Sequence, residues 1–100
     1  MLHQKYPKTF VLKLASGEEV IGKVTEVIGS GSGFMVNRPV MIVQANQALH
    51  FAPFLAMANQ DKDVTINNVV AYADPSDDME RSYQSAMSGI ELPPSGTIIT

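Results

Sequence analysis

The sequence predicts an all-β fold of short antiparallel strands followed by one C-terminal helix. Three observations favour this class. Apolar and polar residues alternate near the N-terminus, turns rich in glycine or polar residues separate the apolar segments that follow, and helical spacing appears only after residue 74. With 100 residues, 45% hydrophobic and 17% charged, the chain fits one globular domain and neither a two-domain nor a disordered protein.

The first two strands are predicted to form a hairpin. Residues from Thr9 to Leu14 alternate with a period of two, which is typical of a strand with one face in a core. The stretch from Ala15 to Glu18 is polar and contains the glycine that a tight reversal needs, so Glu19 to Val27 should return antiparallel. Gly22 lies inside this second strand, where it indicates a sharp bend of the sheet rather than a close backbone approach.

The glycines between Ile28 and Gly33 suggest two interpretations. A phosphate-binding loop needs a helix directly after it, so that backbone N–H groups and the helix dipole meet the phosphate. Because the next residues, Phe34 to Val36, are typical of a strand, a hairpin loop is favoured. The third strand is expected from Phe34 to Val43 and should be bent, bulged or broken at Pro39, which cannot donate a ladder hydrogen bond.

The remaining strands are short. His50 to Met57 is apolar but contains Pro53, so a helix is disfavoured and a kinked edge strand is predicted. Beyond a polar turn, Val64 to Ile66 and Val69 to Ala73 form two short extended segments separated by two asparagines. Taking these two short segments together as one strand, we expect a sheet of five strands in total.

The C-terminal helix is predicted from its start and stop signals. Asp74 is the expected cap, Pro75 the first helical residue and Gly89 the stop, and acidic residues complement the N-terminal end of the helix dipole. One apolar stripe follows helical spacing and is formed by Met79, Tyr83, Met87 and Ile90. This stripe should pack on the protein's own sheet, with contact to a neighbouring subunit as the alternative.

Composition and charge disfavour several classes of function. A net charge of -3 and a pI of about 5.1 disfavour non-specific binding of nucleic acid by bulk charge. The absence of cysteine excludes disulfides, thiolate metal sites and a cysteine nucleophile. Neither a secretory signal nor an apolar stretch of roughly 20 residues is present, so a soluble cytoplasmic protein without a membrane partner is expected.

Catalysis is not expected. The two histidines, His3 and His50, have no obvious partners, and no spacing typical of three or four metal ligands occurs. The acidic groups are better explained as a solvated turn, at Glu18 and Glu19, and as the start of the helix. The sequence therefore predicts no enzyme activity, no metal and no cofactor.

Two segments carry a resemblance to a known family. Phe10 to Leu14, followed by Ser16 to Val24, is similar to the first motif of Sm-like (LSm) proteins: an apolar strand, a small-glycine-charged turn and a glycine in the second strand. Val64 to Tyr72 is similar to the second motif. The resemblance implies a small barrel of five strongly bent strands that assembles into rings. The chain then divides into an N-terminal extension (1–8), the barrel (9–74), the helix (75–90) and a loosely ordered tail (91–100).

The resemblance also implies single-stranded RNA as a partner. Sm-like proteins hold uridine-rich RNA with an asparagine-bearing loop before strand three and an arginine turn before strand five. The corresponding candidates here are Phe34, Met35, Asn37, Arg38, Lys23, Asn67 and Asn68. Phe34 or Met35 would stack on a base; the alternative is a strand core with a polar turn residue. The family arginine is absent at Asn67-Asn68, and the helix follows the strands, whereas the family helix precedes them.

A homo-oligomer is predicted more strongly than RNA binding. Exposed strand edges invite pairing with another copy, and a ring removes every free edge. The apolar fourth strand suggests an interface whose candidate residues are Phe51, Phe54, Leu55, Val69 and Tyr72; a strand buried on both faces is the alternative. Two functions stay open: a ring-forming RNA-binding protein without catalytic activity, and a protein-protein assembly module that keeps the ring but does not bind RNA.

Overall fold

Six antiparallel strands and one helix are found in the computed structural model, which describes residues 6–29, 33–55 and 57–88. The elements, in chain order, are β1 (Lys8–Leu14), β2 (Glu19–Ile28), β3 (Gly33–Ala45), β4 (Ala48–Pro53), β5 (Val64–Ile66), β6 (Val69–Ala73) and α1 (Asp77–Met87). The predicted class, mostly antiparallel β-structure with a single C-terminal helix, is confirmed for these residues.

The strands form one sheet in the order β4-β3-β2-β1-β6, and β5 pairs separately with the beginning of β3. The short strands β5 and β6 are separated by only two residues, yet β6 pairs with β1 while β5 pairs with β3. This is why the described residues contain six strands where five were predicted. Both β4 and β6 are edge strands of the main path.

The core lies on one face of the first hairpin and is closed by β3, β5 and β6. Alternation in β1 buries Phe10, Leu12 and Leu14, as the period of two predicts. The other buried members of the cluster are Val20, Val24, Phe34, Val36, Ile66 and Val69. These residues are branched or aromatic, which suits packing between strands.

A bulge interrupts the pairing of β2 with β3 at Gly22. Ile21 pairs with Val40 and Lys23 pairs with Asn37, so Gly22 faces two residues, Arg38 and Pro39. Arg38 adopts a positive φ of 52° there. A Cβ on Gly22 would collide with Cγ1 of Val36 and would lie 3.1 Å from Cα of Pro39. The glycine therefore permits a close approach of β3, so the preferred explanation, a bend, was wrong and the alternative, a close backbone approach, applies. Pro39 lies in a bulge, one of the three options left open for it.

The predicted boundaries of the third and fourth strands were wrong. β3 continues to Ala45, and a reversal at Asn46 and Gln47, both with positive φ, leads into β4. β4 begins at Ala48 and ends at Pro53, so the expected strand from His50 to Met57 covers only part of it. Leu55 has a φ of 61°, which is incompatible with an extended strand.

The helix starts later than predicted. Ser76 is the cap, since its Oγ accepts a hydrogen bond from the backbone N–H of Met79 at 3.1 Å, and Pro75 lies outside the helix. Asp74 instead forms an ion pair with Lys8 at 3.3 Å.

Some predictions fall outside the described residues. These are the expected stop at Gly89, the stripe residue Ile90, the tail (91–100) and most of the predicted N-terminal extension (1–5). In the described part, no helix is long and apolar enough to cross a membrane.

Candidate functional site

A cleft of about 230 Å³ lies where the helix crosses the bulge. We call it the bulge cleft; its lining residues are Lys23 of β2, Asn37 and Arg38 of β3, and Tyr83, Gln84 and Met87 of α1. The bulge brings Arg38 next to the Lys23-Asn37 pair, and the helix supplies the opposite wall. Three residues that the sequence proposed for RNA binding are thus brought together with three helix residues.

Tyr83 joins the helix to the bulge. Its hydroxyl donates to the carbonyl oxygen of Arg38 at 2.8 Å and lies 3.3 Å from that of Asn37. Its ring packs edge-to-face against Phe51 of β4, with 6.4 Å between centroids. Burial raises the pKa of Tyr83 to about 12, although a hydrogen bond with the Lys23 backbone and the positive charge of Arg38 oppose the increase. The phenol therefore remains a proton donor at neutral pH.

The sequence identified Tyr83 only as part of an apolar stripe. Its burial on the sheet agrees with the first of the two expectations for that stripe. Its hydroxyl gave no local signal, because the carbonyl groups that it satisfies lie about 45 residues earlier in the chain. A tyrosine, rather than a phenylalanine, at the centre of the stripe was the only available indication.

The cleft carries two positive charges that have no carboxylate partner. In residues 6–29, 33–55 and 57–88, neither Lys23 nor Arg38 forms an ion pair, whereas Lys8, Lys13 and Arg81 each do. Within the part of the chain that the structure describes, no carboxylate lines the cleft. The side-chain amide of Gln84 donates to Oγ1 of Thr9 at 3.3 Å, which fixes its position on β1.

Asn37 is already engaged by a carboxylate. Its Nδ2 donates to Oδ1 of Asp63 at 3.2 Å, and Oδ2 of Asp63 accepts a hydrogen bond from Oγ1 of Thr25 at 2.7 Å. Asp63 directly precedes β5. Contact between the Asn37 amide and a base would have to replace this bond, or use the remaining amide hydrogen or the side-chain oxygen.

Of the two predicted stacking residues, Phe34 lies inside the protein and Met35 is partly covered. Phe34 is a fully buried core residue, and its ring packs edge-to-face against Tyr72 with centroids 5.1 Å apart. Met35 is half-buried, and its sulfur accepts a hydrogen bond from Oγ1 of Thr65 at 3.1 Å. The burial of Phe34 matches the alternative interpretation of this segment as strand core, because base stacking requires an exposed ring face.

Asn67 and Asn68 are exposed but lie away from the bulge cleft. Phe34 pairs with Ile66, so Asn67 lies beside Gly33, four residues from Asn37 along β3. At about 3.3 Å per residue this is a separation of roughly 13 Å. The structure therefore divides the predicted RNA-binding residues into two polar groups with the buried Phe34 between them.

The two edge strands expose apolar side chains. Leu49 of β4 is 55% exposed, and Val70 and Tyr72 of β6 are 65% and 50% exposed. Of the predicted interface residues, Leu55 and Tyr72 are exposed, Val69 is in the core, and Phe51 and Phe54 are half-buried against Tyr83 and the core respectively. Sequence reasoning missed Leu49 and Val70, and β6 has no alternating pattern that would have marked Val70.

The described residues contain no group of three or more His, Cys, Asp or Glu side chains that would hold a metal ion. A shallow groove of about 350 Å³ lies between β4 and the start of the helix, lined by Leu49, Phe51, Ser76, Asp78, Met79 and Ser82. This groove therefore borders β4.

Comparison with known proteins finds no family model that matches the chain and no curated protein that matches it.

Proposed function

We propose that this protein is an Sm-like subunit that assembles head to tail into a homo-oligomeric ring and has no catalytic activity. The observation that carries the proposal is that β4 and β6 have no strand partner on their outer edges within residues 6–29, 33–55 and 57–88, and that each exposes apolar side chains. The curvature expected of an Sm-like barrel is supported by the bulge at Gly22 and by the two-residue step between β5, which pairs with β3, and β6, which pairs with β1.

Head-to-tail pairing follows from the difference between the two edges. An unpaired edge strand presents backbone N–H and C=O groups that another strand can satisfy. If β4 of one copy pairs with β6 of the next, every copy has both edges paired only when the chain of subunits closes. Burial of the apolar side chains of Leu49, Val70 and Tyr72 would stabilise the interface in addition to these backbone hydrogen bonds.

The first experiment measures mass by light scattering for the wild type and two edge variants. Leu49→Lys on β4 and Val70→Lys on β6 each place a charge within the proposed interface, and both should shift the mass toward that of a monomer. Ser85→Lys is the matched control, because Ser85 is an exposed helix residue away from both edges and should leave the mass unchanged. A wild type that is monomeric at high concentration contradicts the proposal.

Mixing the two edge variants tests the head-to-tail geometry. Each variant keeps one intact edge, so a mixture of Leu49→Lys and Val70→Lys should form a dimer with twice the monomer mass and grow no further. Symmetric pairing of β4 with β4 predicts a different result: Val70→Lys alone would dimerise, and addition of Leu49→Lys would not produce a new species.

Single-stranded RNA binding is the second candidate function. The observation favouring it is the adjacent pair of cations, Lys23 and Arg38, which form no ion pair with any described residue, since phosphate contacts need lysine or arginine. Titration with oligouridine at low salt should give binding that weakens as salt is added. No binding at low salt would leave the alternative, an assembly module without RNA, and a pull-down from native extract would then be expected to recover protein partners rather than RNA.

A further inference from the structure

We propose that the bulge cleft binds a phosphate group, carried by a nucleotide or by a single-stranded RNA. Lys23 and Arg38 supply the positive charge, and Gln84 of the helix supplies an amide donor. This inference rests on the RNA-binding candidate and deepens it, because it assigns the phosphate contact to a site shared by the sheet and the C-terminal helix.

The hydrogen-bonding groups of the cleft favour an anion. The exposed carbonyl oxygens of a bulge would normally attract donors or cations. Here the hydroxyl of Tyr83 donates a hydrogen bond to the carbonyl oxygen of Arg38 at 2.8 Å and lies near the carbonyl oxygen of Asn37. The groups left free are mainly donors: the ammonium of Lys23, the guanidinium of Arg38, and the second N–H of the Gln84 amide, whose first is bonded to Thr9.

The space around Arg38 suits a ligand larger than a single ion. Arg38 and Met87 also line a neighbouring depression of about 300 Å³, together with Pro39, Val40 and Gln60. The two depressions therefore meet at Arg38. A phosphate between Lys23 and Arg38 would leave room for the attached sugar or base beside Pro39 and Met87, whose side chains offer apolar contact.

A purely structural role for the two cations makes a different prediction. The last turn of α1 contains no basic residue, and Lys23 and Arg38 lie beside this end of the helix. Cations there would also stabilise the helix dipole. In that case their removal would lower stability without changing affinity for phosphate, so stability and affinity must be measured on the same variants.

Nuclear magnetic resonance titration separates these roles. Uridine monophosphate, uridine and inorganic phosphate are added separately to the full chain, and shifts of the Gln84 side-chain amide and of the backbone of Lys23 are followed. The phosphate-bearing ligands should shift these signals, and uridine should not. Lys23→Gln and Arg38→Gln should each weaken binding of uridine monophosphate by about tenfold, as expected for loss of one charged hydrogen bond.

The matched control is Lys62→Gln, which removes one positive charge outside the cleft and should leave the affinity unchanged. With oligouridine, each cleft variant should also reduce the slope of log binding constant against log salt concentration by about one. Equal shifts with uridine and uridine monophosphate, or cleft variants with wild-type affinity for phosphate, overturn the inference. If oligouridine binds but the cleft variants do not weaken it, the RNA function stands and the cleft assignment is wrong. Light scattering on the same samples reports assembly independently.

Discussion

Replacing Tyr83 by phenylalanine tests whether the helix is held on the sheet by one hydroxyl. Tyr83 is 1% exposed, so the ring should stay in place and only the hydrogen bonds at the bulge are lost. A hydroxyl has one proton, and the 2.8 Å bond to Arg38 is the main interaction. A typical net contribution is about 1 kcal/mol, rising toward about 3 kcal/mol if the carbonyl stays dry and unpaired. Because Arg38 and Tyr83 line the bulge cleft, water can enter next to this bond, and we expect a loss of about 1–1.5 kcal/mol.

The assay is equilibrium denaturation at a concentration where wild type and variant have the same mass, so that assembly does not contribute to the difference. Tyr6→Phe is the control, since Tyr6 is partly exposed and its hydroxyl makes no hydrogen bond within the described residues. A lower denaturant midpoint with an unchanged dependence of the unfolding free energy on denaturant concentration would confirm a simple loss of stability. A Tyr83→Phe protein within about 0.5 kcal/mol of the wild type would refute the reasoning, because it would show that the hydroxyl contributes no more than an ordinary surface group.

Three further predictions concern the same elements. Gly22→Ala should destabilise by about 1–3 kcal/mol in a denaturant titration, because its Cβ would collide with Val36. Ser76→Ala should reduce stability by about 1 kcal/mol and Asp74→Ala by less, and the reverse order would restore Asp74 as the cap. The pKa of Tyr83 is about 12 in the folded protein and 10 in the unfolded chain. The free energy of unfolding should therefore be unaffected by the ionisation of this group below pH 10 and decrease by about 2–3 kcal/mol as the pH rises through 12. The same decrease in Tyr83→Phe would contradict this prediction.

The first hairpin was predictable because its signals are local. The alternation in β1, the glycine turn and the return strand are all contained in about 20 consecutive residues, and the register of β1 with β2 follows from them. The later boundaries depend on partners distant in sequence. Asp74 and Ser76 are both good caps, and the choice is tied to an ion pair of Asp74 with Lys8, which no local pattern shows.

The candidate site was predictable in its residue types but not in its grouping. Lys23, Asn37 and Arg38 come together only because of the two-against-one pairing at Gly22. The sequence predicted that the helix packs on the sheet but not where it does so, because the contact of Gln84 with Thr9 joins residues 75 positions apart. The separation of Asn67 from Asn37 depends on the register between β5 and β3, and alternation within a three-residue strand such as β5 is too short to set it.

The bulge links stability to the proposed phosphate site, whereas the edges are independent of both. Gly22 admits the extra residue of β3, the bulge places Arg38 beside Lys23, and Tyr83 satisfies the carbonyl groups that the ladder leaves free. A change at Gly22 should therefore disturb folding and phosphate affinity together. Leu49 and Val70 lie on exposed edge strands, so substitutions there should alter only the mass of the assembly. If the edge variants also lost affinity for uridine monophosphate, phosphate binding would depend on the assembled ring, and the cleft of a single subunit would be an incomplete site.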